Sequence, residues 1–459
     1  MRIARGTLFL GVTIIACGAW LAFYSTGTFA RAADQLMQRE VERGHFSGTV
    51  LISRDANVLF AKGYGLADAD WGVKNTPDTK FEIGSITKTF TATLIMQLEQ
   101  QRRLALTDSV CTYIENCPPG WTAVTLHHLL SHTSGIYNLT LSADYDKLHG
   151  VPQTREEVLA RIRAQPLAFV PGAKFDYSNS NYFLLAMVIE KVTGQTYESV
   201  LKQRLLDPLE MRDTGVIHRD SILSRHATGY RPTKSGALEV DSPTDPSWSF
   251  GAGSLYSTVA DLQKWSEALD TDRILPQATL RRMWQPVKGE YGYGWEVLTP
   301  SPGSGNRQVI QHTGFITGFI TIFRRIADEH LTVIVLSNNL ASHPARVAQS
   351  LSALALGDHF VPSFDRETVE LAPEILRRYV GDYELGGETF TITSRDGRLY
   401  VSTDNHPEIP QQELLAASDT LLFVRDSDGE LVATQDGHGR VTGFLFNQGN
   451  TSRVVKKVR

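Results

Sequence analysis

Apolar residues at Ile86, Phe90, Leu94 and Leu98, with Ile95 beside them, recur every four positions. That period predicts an amphipathic helix with one buried stripe, running from Phe81-Glu82-Ile83-Gly84-Ser85 to about Leu106. Upstream, Ala33 to Glu42 reads as a short helix. Phe46–Ser53 and Val58–Gly65 are β-rich runs around Arg54-Asp55-Ala56-Asn57, a hairpin signature. Residues 107–290 form a long helical and loop region punctuated by Gly and Pro. Helices are expected at Leu126 to Gly135, Glu156 to Arg163, Tyr182 to Val192 (stopped by Gly194) and from near Ser257. Strand-like runs return at Arg307–His312, Phe319–Arg325 and Leu331–Leu336, and a helix near Pro344 to Leu356 follows. Strands at both ends with helices between imply an α+β domain. One antiparallel sheet is assembled from both ends of the domain, with a helical layer inserted in the middle.

The pattern changes after residue 357. Residues 357–373, with Pro362 and Pro373, read as a linker. Residues 374–459 hold short alternating runs at 389–392, 398–401, 421–424, 430–433, 441–446 and 452–458. Asp396-Gly397, Asp428-Gly429 and Asp436-Gly437 supply hairpin turns, so this part is a small antiparallel barrel or sandwich.

Composition narrows the function. The chain of 459 residues is 42% hydrophobic and 21% charged, ordinary for a globular protein, and long enough for a large core plus a second domain. A net charge of −5 without a Lys/Arg-rich run excludes nucleic acid as a partner. Met1-Arg2-Ile3-Ala4-Arg5 is a short basic region before an apolar run from Leu8 to Tyr24, and Ala30-Arg31-Ala32 offers a signal-peptidase cut. Residues 1–32 therefore read as a signal peptide or a membrane anchor, and residues 33–356 as an extracytoplasmic domain, periplasmic or secreted. Ile14-Ile15-Ala16-Cys17 loosely resembles a lipoprotein box, but the following residues through Phe23 stay apolar. Of the three cysteines, Cys17 lies in this leader. Cys111 and Cys117 are either a disulfide closing a small loop or two free thiols.

Candidate chemistry centres on the first helix. Ser85 sits at its mouth, where unpaired N–H groups and the positive end of the macrodipole favour a developing anion. Lys88 follows one turn on, on the same face. A hydroxyl beside an amine there is the start of an activated nucleophile, although serine is also a common helix cap. Ser199-Val200-Leu201-Lys202 has the same spacing with nothing catalytic around it. His127, His128 and His132 have no acidic partner at ligand spacing, which favours packing and capping over a metal. No metal or other cofactor is called for.

Ser85-Ile86-Thr87-Lys88, Tyr177-Ser178-Asn179 and His312-Thr313-Gly314 together resemble, in order and spacing, the three motifs of the class C β-lactamases and penicillin-binding-protein-like serine hydrolases. Leu129 to Gly135, Pro171-Gly172 and Tyr291-Gly292-Tyr293-Gly294-Trp295 resemble that family too. The resemblance covers residues 35–355 and implies a β-lactamase/transpeptidase-like fold with Ser85, Lys88 and Tyr177 catalytic. It makes Asn179, His312, Thr313, Gly314 and Phe315 substrate-binding, with the N–H groups of Ser85 and Phe315 as oxyanion donors. Ser85 would lose its proton to Lys88 directly, or to a Tyr177 phenolate that Lys88 stabilises. The third motif usually begins with lysine in β-lactamases and DD-peptidases. His312 instead resembles the esterase and D-aminopeptidase branches, and is a weaker anchor for an anion. Three readings follow. The first is an exported hydrolase of esters or amides, D-amino-acid peptides included. The second is a DD-carboxypeptidase or β-lactamase, and the third a catalytically weak penicillin-binding or ligand-sensing protein. Its expected partner is a small-molecule or peptide substrate, with membrane contact only through an N-terminal anchor. The oligomeric state is not encoded in any motif.

Overall fold

The computed structural model describes residues 27–458 apart from 234–236, 299–306, 358–365, 386–387, 404–410, 425–428, 438 and 449–450. The apolar leader up to residue 26 and its candidate lipoprotein box lie outside the described residues. Among the described residues no helix is long and apolar enough to cross a membrane. The chain divides into two compact units, residues 1–297 with 310–356, and residues 298–309 with 357–459.

The first unit is built on a six-stranded sheet. Its strands are β1 (Gly48–Arg54), β2 (Asn57–Tyr64), β3 (Glu296–Leu298), β4 (Val309–Ile316), β5 (Phe319–Ile326) and β6 (Leu331–Ser337), in the order β3-β4-β5-β6-β1-β2. The β1–β2 turn places Asp55 and Ala56 at φ 50° and 61°, the doubly left-handed geometry whose twist suits a tight hairpin. β1 pairs antiparallel with β6, setting Gly48 opposite Ser337, so the two ends of the unit meet at the centre of the sheet. β6 is buried along its whole length, as a strand covered on both faces must be. Helix Val259–Leu269 packs on β1 and β6, and helix Pro344–Leu356 packs on β5 and β6. Residues 27–42 form a helix whose Glu40 meets Arg346 at 3.0 Å, both side chains almost fully buried.

The helix carrying the first motif is shorter than its periodicity predicts and buried on more than one stripe. A 3₁₀ turn, Gly84–Ile86, leads into helix Thr87–Gln100, in which Thr87 to Met96 are all buried. Apart from Lys88 its buried polar positions are threonines, two of which return their hydroxyls to the helix: Thr89 donates to the Ile86 carbonyl at 2.9 Å and Thr93 to that of Thr89 at 2.8 Å. A threonine folded back in this way can enter a core. Phe90 stacks on Trp265 with ring centroids 4.3 Å apart, fixing the helix against helix Val259–Leu269. Cys111 and Cys117 are joined in a disulfide.

The second unit contains a closed barrel of eight strands, which decides between the two architectures left open by the sequence. Two of its strands, Gly381–Leu385 and Gln412–Ala416, were not expected. The first is a single short run and the second, Gln-Glu-Leu-Leu-Ala, neither alternates nor contains a β-branched residue. Helix Pro373–Tyr379 precedes the barrel, and Tyr379, Tyr383, Ile392, Leu422 and Phe444 are among the residues filling its core.

Candidate active site

Gly84 brings the nucleophile turn against the end of β4. Its φ is +50°, and a Cβ there would fall 2.8 Å from the Phe315 amide nitrogen. Gly314 is the reciprocal contact: a Cβ on it would lie 2.1 Å from the Ile83 carbonyl oxygen and 2.2 Å from Thr321 Oγ1. The Phe315 amide is thereby held beside the backbone that carries Ser85. Ser85 heads the helix whose N-terminal N–H groups favour an oxyanion.

Lys88 is wholly buried, and its amine touches three oxygens. Nζ donates to Asn179 Oδ1 at 2.8 Å and to the Ala252 carbonyl at 2.7 Å, and it lies 2.9 Å from Ser85 Oγ. Burial alone drives its pKa well below the ordinary lysine value. A neutral amine has two N–H groups and one lone pair. Asn179 Oδ1 and the Ala252 carbonyl can only accept, so they take both N–H groups and leave the lone pair facing the Ser85 hydroxyl. Asn179, at the start of helix Asn179–Thr193, is itself fixed. Its Nδ2 donates to Thr140 Oγ1 at 3.0 Å and its backbone N–H to Asn138 Oδ1 at 3.0 Å. The other Ser-x-x-Lys behaves as an ordinary surface pair: Lys202 is exposed and bonds Asp207 rather than Ser199.

Tyr177 lies within hydrogen-bonding reach of Ser85, and its ring centroid is 4.9 Å from Lys88 Nζ. Burial pushes its phenol well above the usual tyrosine range, outweighing the Ser85 hydrogen bond, and the Glu296 charge pushes the same way. Of the two expected proton routes, the raised phenol and the 2.9 Å contact between Lys88 Nζ and Ser85 Oγ favour transfer to the amine over a Tyr177 phenolate.

Behind Tyr177 stands His132, for which the sequence favours packing and capping. It is fully buried, with its ring centroid 4.2 Å from Tyr177 and 4.7 Å from Tyr291. Nδ1 accepts from the Ser178 N–H at 3.2 Å, and burial holds the ring neutral.

His312 is buried too. Its Nδ1 donates to the Thr313 carbonyl at 2.7 Å, so Nε2 accepts from the Tyr291 hydroxyl at 2.9 Å. Burial lowers its pKa to about 4, so the ring is neutral at pH 7. Thr313 is exposed, but its hydroxyl donates to Glu296 Oε1 at 2.9 Å.

A cavity of about 310 Å³ opens beside Ser85, lined by Asn179, Ala252, Phe315 and Thr317 among others. Ser85, Asn179 and Phe315 face this space, whereas Lys88, Tyr177, His312, Thr313 and Gly314 stand behind it or beyond it. Tyr291, Glu296, Ala252 and Asn138 escaped the sequence reading as site residues. Tyr291 lies in the Tyr291-to-Trp295 stretch that resembles the family, while nothing local marks Ala252, Glu296 or Asn138.

A family model described as Beta-lactamase matches residues 29–357. A penicillin-binding protein of Bacillus subtilis (strain 168) is 28% identical over 442 residues, covering 90% of this chain and 96% of the relative. The octameric penicillin-binding protein homologue from Pyrococcus abyssi superposes with a TM-score of 0.65 at 26% identity, covering 92% of this chain and 98% of the other. A D-stereospecific amidohydrolase from Streptomyces gives a TM-score of 0.60 at 27% identity over 72% of this chain and 99% of the other.

Proposed function

This chain belongs to the beta-lactamase family of serine hydrolases, and from that premise we propose an exported enzyme that cleaves esters or amides, D-amino-acid peptides among them, through an acyl-Ser85 intermediate. Ser85 Oγ attacks the acyl carbon as its proton passes to the Lys88 lone pair. The N–H groups of Ser85 and Phe315 receive the oxyanion, each such donor typically contributing about 2.7–4 kcal/mol. The Lys88 ammonium returns the proton to the leaving group, with the protonated Tyr177 phenol as relay. Water, activated by the same amine, then releases the acyl group. The observation that carries this reading is the Lys88 amine, buried, stripped of solvent and 2.9 Å from Ser85 Oγ. The basic and apolar leader and the Cys111–Cys117 disulfide support export to an oxidising compartment.

A fluorophosphonate should label Ser85 stoichiometrically, and Ser85→Ala should abolish labelling. Wild-type protein that forms no adduct with any activated ester would overturn the hydrolase reading in favour of a binding protein.

The match to a penicillin-binding protein across 90% of this chain favours a second reading, a DD-carboxypeptidase or β-lactamase with the same acyl-enzyme chemistry. Turnover of a short-chain nitrophenyl ester, a D-alanine amide and a chromogenic cephalosporin separates the two. The neutral His312 weighs toward the ester and amide substrates.

A further inference from the structure

Thr313 is the exposed polar position on β4, two residues before the Phe315 amide. A substrate group lying along this strand edge would meet its hydroxyl and N–H. Both are already spent, because the hydroxyl donates to Glu296 Oε1 at 2.9 Å and the N–H points at the same oxygen at 3.4 Å. The second carboxylate oxygen, Oε2, accepts from Gln311 Nε2 at 2.9 Å, and Gln311 Oε1 accepts in turn from the buried Arg324 at 2.7 Å. A carboxylate supplied by the protein is thus docked on Thr313, with a cation behind it on the far side of Gln311.

The wall of the cavity beside Ser85 offers a second anion His149 and several hydroxyls but no permanent cation. His312 is neutral for the reason given above, and the Lys88 amine is already taken up by Asn179, the Ala252 carbonyl and Ser85. Among the described residues lining the cavity there is no lysine or arginine, and Asp146 is one of them.

Resting on the hydrolase reading, we infer that Glu296 is a specificity-determining residue that excludes substrates carrying a carboxylate beside the scissile bond. The site therefore takes acyl substrates whose leaving group is neutral or cationic. A substrate anion reaching Thr313 would sit against the Glu296 charge at a few ångströms, where like charges in a partly buried site repel strongly.

The test uses two esters of one acyl group, a glycolate and its glycolamide, which differ only in a carboxylate on the leaving group. Wild-type kcat/KM should favour the glycolamide by at least about tenfold. Glu296→Gln keeps an oxygen for Thr313 and removes the charge, and should narrow that ratio by about tenfold whatever the absolute rates. Raising ionic strength with the wild-type protein, which needs no variant to fold, should narrow the ratio too. A wild-type preference for the glycolate, or a ratio that neither Glu296→Gln nor salt moves, would overturn the inference while leaving the acyl-enzyme intact. Failure of both esters and of a fluorophosphonate to acylate Ser85 would remove the hydrolase reading and this one with it.

Discussion

Gly314→Ala tests the link between backbone packing and catalysis directly. The added methyl would lie 2.1 Å from the Ile83 carbonyl oxygen, where ordinary contact begins at 3.4 Å. Neither Ile83 nor Thr321 Oγ1 can swing aside cheaply, because one is backbone and the other donates to that same carbonyl at 3.1 Å. β4 must therefore retreat from the nucleophile turn by roughly 1 Å, carrying the Phe315 amide away from the position where an oxyanion would form. A misplacement of that size costs about 10²-fold in rate, in line with the 10²–10³ typical of losing one oxyanion donor. The assay is pre-steady-state acylation by a nitrophenyl ester, with fold integrity followed by thermal melting. Gly120→Ala, whose added methyl meets nothing within 4 Å, is the control and should acylate normally. If Gly314→Ala acylated Ser85 within about threefold of wild type, the close approach of β4 would not be what positions the donor.

Three further outcomes follow from the burial of ionisable groups. Because burial lowers the Lys88 pKa, acylation should rise with pH along a limb whose midpoint lies below the ordinary lysine value, and Lys88→Met should abolish the limb along with about 10²–10⁴ of the rate. Between that lowered pKa and the unfolded value the unfolded chain binds the extra proton, so wild-type stability should rise with pH across the window. Denaturation of Lys88→Met should lack this slope. In the Glu40–Arg346 pair, removing one partner as Arg346→Ala should cost about 3–5 kcal/mol in chemical denaturation, whereas Glu40→Leu with Arg346→Met should come out near neutral. A single variant as stable as wild type would show the pair to be dispensable.

What the sequence disclosed, and what it did not, divides along the range of the interactions involved. Ser85 and Lys88 were legible because helical geometry alone puts residues three apart on one face. Five of the six strands of the main sheet and helix Pro344–Leu356 were legible for the same reason, since period and turn chemistry are local, but the three-residue strand β3 was too short to show a period. An antiparallel barrel or sandwich was read from the Asp-Gly turns, yet two of the barrel's strands, one a single short run and one without alternation, were missed. The neutrality of His312 could be anticipated from its reference pKa. Its hydrogen bond to Tyr291 and the hold of Glu296 on Thr313 could not, since both depend on where β3 and its preceding loop lie in space. The burial of Thr87 to Met96 on every side was hidden because threonine looks polar in a sequence and becomes apolar only once its hydroxyl folds back.

The pairing of β1 with β6 has a consequence for how the enzyme is made. A chain emerging N-terminus first presents Gly48–Arg54 with one edge bare until Leu331–Ser337 has also been delivered. Closing so large a loop carries an entropic penalty that only the finished sheet repays, which slows folding. The nucleophile turn leans on β4, which belongs to that late-arriving half. On the proposed mechanism the Ser85 site is therefore complete only once the whole unit has been made, and a polypeptide ending before β4 would lack the Phe315 donor.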